Sequence, residues 1–469
     1  MSVYIQRDTS FTESERYVNG LGAKSFLKFW TWPNLFRDQE GGKEICDLII
    51  VFGNDILLIS DKEIEFKSEK GELVGWKRWY KDAITKSFKQ TKGAERWIKT
   101  YPDRLFVDKK CTTKFPINID LSKAKFHHIL VTHGLENILE EKLGYGSLRF
   151  NNDINLGDTE PYNIGKINNE PFVHVFTEKT LKDCLEHFDT TSDFLNYLKV
   201  REIFFNLDKN VSINAEGDLI SLWYESYDES SSLRNILSNE KLTQEAVDLV
   251  YPKFSEFIEK EEFKRKKEYE KNSYVWDEFI NRFSFHILNG TSEGDENWTQ
   301  IHEIEEKLRI MAQTNRFQRR LLGEGFIDMF YKFKNKRGTR AILVEEINQV
   351  FLFMCLPFMD RFKGKVEEYR AVRRKMLTDY AYIYKYLQPS LNSLVLIGFR
   401  SAVDNEELTS DFFDDGNDFA YIDFGDWSEN DANDAKKIHD LYVQHRLFVS
   451  RDLTVLSTNE FKQTTKTHL

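Results

Sequence analysis

The sequence predicts a mixed α/β protein in three parts, and each part rests on one feature of the chain. An N-terminal α/β domain with a small mixed sheet flanked by helices is expected because residues 44–66 form two β-rich apolar runs around a Gly-Asn-Asp turn. A mainly helical region follows, since long stretches of mixed charge replace the apolar runs after about residue 177. A small C-terminal α/β portion is expected because short strand-like runs return near residue 394.

The N-terminal domain is expected to begin with a helix over residues 11–30, since Thr12 and Glu15 have the spacing of a capping box. After the hairpin, residues 76–99 form the clearest amphipathic helix, with an apolar stripe at helical spacing and lysines opposite it. Further strands are expected at residues 126–131 and 172–176. The order helix, hairpin, helix, strand predicts a sheet with helices on its faces.

The later elements are predicted from the same periodicities. Helices are expected at residues 242–285, 301–334, 367–387 and 432–448, and strands at residues 394–398 and 419–423. The expected domains are residues 1–178, 179–390 and 391–469. This division agrees with the two or three hydrophobic cores expected of a chain of 469 residues.

Composition indicates a compact protein in a reducing compartment. The chain is 41% apolar and 14% aromatic with only 8 prolines, so it can bury its cores without a long flexible linker. It has no apolar segment of about 18 residues, and its first residues are charged, so neither a membrane span nor a signal peptide is expected. The four cysteines are scattered and form no C-x-x-C pair. We therefore expect neither disulfides nor a thiolate zinc site, and a cytoplasmic location.

Charge is distributed unevenly along the chain. The net charge is −11, but residues 404–434 contain twelve acidic residues and no lysine or arginine. Residues 61–114 contain fifteen Lys/Arg against nine Asp/Glu, so a polyanion such as nucleic acid has a local surface on which to dock. The candidate phosphate contacts, on the polar face of the predicted helix, are Lys77, Lys81, Lys89, Lys92 and Arg96.

The hairpin carries ionisable groups at its open end. Asp47 lies early in the first strand, and Ser60, Asp61 and Lys62 end the second. Because side chains alternate along a strand, a two-residue turn places Asp47 on the same face as Ser60 and Lys62. A three-residue turn would instead place Asp47 with Asp61 and Glu63. The two-residue turn is favoured because Gly-Asn and Asn-Asp accept a positive φ.

This pattern resembles the PD-(D/E)xK, or restriction-endonuclease-like, nuclease superfamily over about residues 10–135. In that family an acid opens one hairpin strand and an acid-x-lysine closes the next, between a leading and a following helix. The resemblance implies a metal-dependent nuclease acting on DNA or RNA, with Asp47 binding Mg²⁺ or Mn²⁺ and Lys62 positioning or activating the attacking water. Hard oxygen ligands suit such ions, and a nearby cation stabilises charge developing on phosphate.

The sequence departs from the family pattern at Ser60, which stands where the second acid is expected. Glu15 on the leading helix and Glu44 near Asp47 are the candidates for the missing metal-binding carboxylate. Gln90 resembles a glutamine that related nucleases of the RecB and NERD-like type place near the site. A nuclease-like domain joined to a large unrecognised region also resembles bacterial defence proteins.

A second hypothesis is a nuclease-like fold that no longer cuts and instead binds nucleic acid or a partner protein. A carboxylate of Glu15 or Glu44 near Asp47 favours the enzyme, whereas a Lys62–Asp47 pair without one favours the binding module. A helical scaffold is a third possibility, and a partner protein or a second copy of the chain could bind the helical region. In structural terms, Glu15 is equally explained as half of a capping box, and the basic helix face as a solvated surface.

Three histidines fall in or beside the strand expected at residues 126–131. Alternation separates His127 from His128, so ordinary packing is the better interpretation of these two and of His133 than a joint metal site.

Overall fold

The structure, a computed structural model, describes residues 13–39, 41–207, 210–225, 246–249, 254–289, 291, 301–414, 416–447 and 453–456. The chain forms two compact units, one of residues 1–267 with 284–316 and one of residues 268–283 with 317–469. The predicted mixed α/β class is confirmed, with an N-terminal mixed sheet, a helical middle and a small C-terminal sheet. The unit boundaries differ from the three-part division expected from the sequence.

The first unit is built on a five-stranded mixed sheet. Its strands are β1 (Thr31–Arg37), β2 (Lys43–Phe52), β3 (Asp55–Glu63), β4 (Lys125–His133) and β7 (Val173–Thr177), which lie side by side in that order. β1, β2 and β3 are antiparallel neighbours, and β3, β4 and β7 run parallel. The central strands are buried on both faces because helices cover both, which explains their continuous apolar sequences.

The hairpin has the turn that the sequence favours. Leu48 pairs with Ile59 and Phe52 with Asp55, which leaves Gly53 and Asn54 as the two turn residues. Gly53 adopts a φ of 61°, which glycine accepts without the steric cost that a Cβ would bring. The two-residue turn is therefore confirmed.

The helices that precede and follow the hairpin differ from their predicted extents. The segment expected to be one helix over residues 11–30 contains two, α1 (Glu13–Ser25) and α2 (Leu27–Trp30), while Thr12 lies outside the described residues. Residues 76–99 fall in α3 (Glu72–Trp79) and α4 (Lys86–Thr100), which a π-helical segment at Tyr80–Thr85 joins without a break. Most residues of the apolar stripe are buried, and Tyr80 and Phe88 are half-buried.

The rest of the first unit is mainly helical. Its helices are α5 (Glu136–Leu143), α6 (Glu178–His187), α7 (Thr191–Phe205), α8 (Glu216–Glu225), α9 (Phe254–Phe257), α10 (Glu261–Glu270, largely in this unit) and α12 (Ile301–Ala312), and α11 (Tyr274–Leu288) is shared with the second unit. A small sheet has the order β6 (Asn163–Ile164), β5 (Arg149–Asn151), β8 (Asn210–Ile213) and β9 (Ala246–Leu249). The prediction of a helix over residues 242–285 is therefore wrong at its beginning, since β9 lies there.

The second unit contains another five-stranded sheet. Its order is β13 (Asp418–Asp423), β12 (Ser393–Arg400), β11 (Gln349–Leu356), β10 (Gly338–Val344) and β14 (Leu453–Leu456), and its helices include α13 (Arg316–Lys332), α14 (Val366–Leu387) and α15 (Glu429–Gln444). β10 and β11 fall within the stretch expected to be mainly helical, and every residue of β11 is buried.

Among the described residues, none of the helices combines the length and hydropathy needed to cross a lipid bilayer.

A buried ion pair ties α7 to the start of α8. The Nε and Nη2 atoms of Arg201 donate to the two carboxylate oxygens of Glu216 at 2.9 and 2.8 Å, and Tyr197 donates its hydroxyl to the same carboxylate. Both charged side chains are only 2% exposed. Two charges in such a position compensate each other, and the removal of one leaves the other desolvated and unpaired.

We expect Glu216→Gln to lower the free energy of unfolding by about 3–5 kcal/mol, because it leaves the Arg201 guanidinium buried without its carboxylate. Urea denaturation of the whole chain, followed by fluorescence and circular dichroism, measures this change. Lys86→Met is the matched control, since Lys86 pairs with Asp82 on the surface and such pairs contribute about 0–1 kcal/mol. Equal destabilisation by the two variants would contradict the role given to the buried pair.

Candidate active site at the open end of the hairpin

Asp47 is the centre of a polar cluster on one face of the sheet. It lies one step beyond the last paired residues of the hairpin, opposite Ser60, and is 6% exposed. The hydroxyl of Ser60 lies 3.3 Å from Asp47 Oδ2, and the backbone N–H of Asp61 donates to the same oxygen at 2.6 Å. The carboxylate is therefore held in place by the backbone of the neighbouring strand.

Two further side chains reach this carboxylate. Gln90, on α4, donates its amide N–H to Asp47 Oδ1 at 2.9 Å, and its own oxygen lies 3.2 Å from the Ser60 hydroxyl. The ammonium of Lys62 lies 3.5 Å from Asp47 Oδ2, and the Lys62 side chain is 34% exposed. Asp47, Ser60, Lys62 and Gln90, all singled out in the sequence, thus meet at one point that solvent reaches through Lys62.

Glu44 and Glu15 are the two candidates for a second carboxylate beside Asp47. Glu44 is exposed and lies three positions before Asp47 on β2, but a β-bulge at Ile45 separates the two, so simple alternation does not assign Glu44 to a face. Glu15 belongs to α1, but its side chain lies outside the described residues. A Cβ on Gly22 of α1 would lie 3.2 Å from Leu48, which faces away from Asp47, so the body of α1 packs on the far side of the sheet.

Asp61 belongs to that far side, where it forms a separate cluster with His133 and Glu178. His133 Nε2 lies 2.5 Å from Asp61 Oδ1, and His133 Nδ1 lies 2.9 Å from Glu178 Oε2. Burial opposes the protonation of His133, but the hydrogen bonds and charges of the two carboxylates outweigh it and raise its pKa to about 9. An imidazolium between two carboxylates therefore joins β3, β4 and the first turn of α6.

The basic face of the helix after the hairpin is largely exposed. Four of the five predicted phosphate contacts, Lys77, Lys81, Lys89 and Arg96, are accessible to solvent. Lys92 is half-buried and bonds to Glu95 at 2.9 Å. Burial alone would raise the pKa of Glu95, but hydrogen bonds from Lys99 and Lys92 lower it to about 2. Lys92 therefore has an ion-pair partner on its own helix.

His127 and His128 lie on opposite faces of β4, as the alternation predicts, but the sequence did not indicate which residues each contacts. His128 lies under α4 against Glu95, and burial lowers its pKa to about 4. His127 lies on the other face with His174 and Glu202, where the three offer ligand atoms within 4.8 Å of one another. The alternation of the strand expected at residues 172–176 placed His174 on a face, but nothing in the sequence showed that Glu202 of α7 would cover it.

The chain matches no known protein-family model, no curated protein and no solved structure. Its function therefore has to be inferred from the geometry of its own residues.

The His133 cluster makes stability depend on pH in a defined direction. The pKa of His133 is raised from about 6.5 to about 9. Its contribution to the free energy of unfolding is therefore complete below pH 6.5 and is lost as the pH rises through 9. We expect His133→Gln to lose about 3 kcal/mol of unfolding free energy near pH 6 and much less at pH 10. Denaturant unfolding at both pH values measures this difference. The exposed His445→Gln is the control, and an equal loss by His133→Gln at both pH values would contradict the ionised cluster.

Proposed function

We propose that the first unit is a divalent-metal-dependent nuclease that hydrolyses phosphodiester bonds of DNA or RNA at the Asp47 site. The observation that carries this proposal is the convergence of Asp47, Ser60, Lys62 and Gln90, which are spread over more than forty positions of the sequence. A structural ion pair needs only two of them. The order of elements, with α1 before the hairpin and α3 and α4 after it, supports the same class of site.

The donor set fits a hard divalent ion. Asp47 offers carboxylate oxygens, and Ser60 and Gln90 add a hydroxyl and an amide oxygen, while Mg²⁺ is often bound by one or two carboxylates together with waters and substrate phosphate. A bound Mg²⁺ or Mn²⁺ would polarise the phosphate and lower the pKa of a bound water. Glu44, on the same strand as Asp47, is the proposed source of a second carboxylate, since the body of α1, which carries Glu15, packs on the far side of the sheet.

The residues of the chain have separate roles in this proposal. Gln90 and the Asp61 N–H hold the Asp47 carboxylate in one orientation, which fixes the direction of its oxygens before substrate binds. The partly exposed ammonium of Lys62 stabilises negative charge that develops on the phosphate and positions the attacking water. Ser60 supplies a neutral oxygen where the related nucleases have an acid.

The surface beside the site suits a nucleic acid strand. Gln90 contacts Asp47 from α4, and the exposed Lys89 and Arg96 belong to the same helix. Lys77 and Lys81 continue the positive charge along α3 and the π-helical segment. Phosphate contacts of this kind supply affinity without sequence preference.

A second candidate function, a nucleic-acid or protein binding module that does not cut, is favoured by one specific observation. Both oxygens of Asp47 already accept hydrogen bonds, and Lys62 lies beside one of them. The negative charge of Asp47 is therefore compensated without a metal ion.

The wider setting is also a proposal. A cytoplasmic location is supported by the four cysteines, which are all free thiols, as is usual in a reducing compartment. A role in bacterial antiphage defence, with the second unit contacting a partner protein or another copy of the chain, follows only from the resemblance described above.

Cleavage assays with Mg²⁺ or Mn²⁺ and a panel of single- and double-stranded DNA and RNA test the catalytic proposal. We expect Asp47→Asn and Lys62→Ala each to reduce cutting by about 100-fold or more, because the first weakens the proposed metal site and the second removes the cation that stabilises charge on the phosphate. Asp120→Asn and Lys125→Ala, on the exposed surface, are matched controls and should cut normally. Cutting that survives both site variants would place the active site elsewhere.

Binding measured in EDTA distinguishes the second candidate. We expect Lys89→Gln to weaken binding to every DNA or RNA of the panel about equally and to lower the salt slope by about 1, because one phosphate contact is lost. Fluorescence anisotropy across a range of salt concentrations gives both quantities, with the exposed Lys123→Gln as the control. Binding without cutting under any metal would favour the binding module, whereas unchanged affinity in Lys89→Gln would remove this helix face from the interface.

A further inference from the structure

A second group of metal-ligand side chains lies on the opposite face of the first sheet from Asp47. His127 is paired with Leu57 and therefore shares a face with Asp61 rather than with Ser60. His174 on β7 is opposite Ile129, which places it diagonally beside His127 on that face. Glu202, near the end of α7, reaches both histidines from above the sheet. This group shares no residue with the Asp47 site.

The distances within the group fit the coordination shell of one ion. Glu202 Oε1 lies 3.2 Å from His174 Nε2 and 3.8 Å from His127 Nδ1. Ligands of a tetrahedral zinc ion, at about 2.0–2.1 Å from the metal, are separated from each other by about 3.3 Å. All three ligand atoms lie within 4.8 Å of one another, so a common ion would draw them closer together.

The ring nitrogen of His127 that faces away from Glu202 has the partner expected of a metal-binding imidazole. Its Nε2 lies 2.9 Å from Asp55 Oδ1, while its Nδ1 is the atom that points towards Glu202. A carboxylate on one ring nitrogen fixes the proton there and leaves the lone pair of the other nitrogen for a metal. Asp55 thus has the position of the outer carboxylate of a carboxylate–histidine–metal arrangement.

The three ligand side chains are buried against apolar residues on one side and open to solvent on the other. His174 is fully buried, its ring packs against Phe172 with centroids 4.9 Å apart, and its Nδ1 has no hydrogen-bond partner in the described part of the chain. The Glu202 side chain is 32% exposed, which provides a path for an ion and room for a water ligand. The nearby Arg201 is neutralised by Glu216 and so does not repel a cation with a full charge.

We propose that His127, His174 and Glu202 bind one transition-metal ion of the zinc class, with Asp55 orienting His127. Two imidazoles with one carboxylate select zinc and its neighbours over Mg²⁺, which prefers oxygen ligands. Because the ligands come from β4, β7 and α7, the ion joins a helix of the middle region to the sheet. The proposal is independent of the nuclease function, since it involves the other face of the sheet.

The test uses the full-length chain without a histidine tag, stripped of metal with a chelator, desalted and given Zn²⁺. We expect one equivalent of zinc to remain after a second desalting, measured by mass spectrometry of the metal, and the thermal midpoint to rise. Co²⁺ in place of Zn²⁺ should give the visible absorption of a tetrahedral site. Glu202→Gln and His174→Asn should each lose the retained metal, and Asp55→Asn should lower the affinity about 10–100-fold.

The controls separate this site from other sources of zinc binding. His445→Gln and Glu186→Gln alter exposed residues of the same types, and Asp47→Asn alters the other face of the sheet, so all three should retain zinc. Circular dichroism checks that the ligand variants remain folded. Substoichiometric zinc in the wild-type chain, or full retention by a folded Glu202→Gln, would overturn the proposal and leave these residues as a hydrogen-bonded network.

Discussion

The pairing of β2 with β3 is the constraint on which the rest of the first unit depends. A turn of two residues at Gly53 and Asn54 fixes which side chains share a face, because a shift of one position would turn every side chain of a strand over. Asp47 meets Ser60 and Lys62 only in this register. The same register sends Asp61 to the far face, where it bonds to His133. The hairpin thus separates two clusters of charge with one layer of backbone between them.

The parts of the fold that could be predicted were those with a strong local signal. Turn chemistry identified the hairpin, and helical periodicity located the buried stripe that includes Trp76 and Trp97. β10 and β11 were missed because a continuous apolar run such as residues 349–356 has no alternation and resembles a buried helix segment. The unit boundaries were also beyond sequence reasoning, since residues 284–316 return to the first unit after leaving it.

The same distinction applies to the candidate sites. Asp47, Ser60 and Lys62 could be assigned to one face because parity along a hairpin depends only on turn length. Gln90 could be placed only by resemblance, since its distance from Asp47 depends on how α4 crosses the sheet. The cluster of His127, His174 and Glu202 could not be found at all. Its three elements are separated by long connections, and only parallel pairing of β4 with β7 makes the two histidines neighbours.

The π-helical segment at Tyr80–Thr85 has a consequence for how such a site could change in evolution. Its hydrogen bonds span one residue more per turn than those of an α-helix, so it sets the direction in which every later side chain of the helix points. Gln90 is one of these side chains. The deletion of a single residue here could restore a regular α-helix, preserve a stable fold and yet turn Gln90 away from Asp47. The site could therefore be lost while the protein remains intact, by a change in helical phase rather than in any of its own residues.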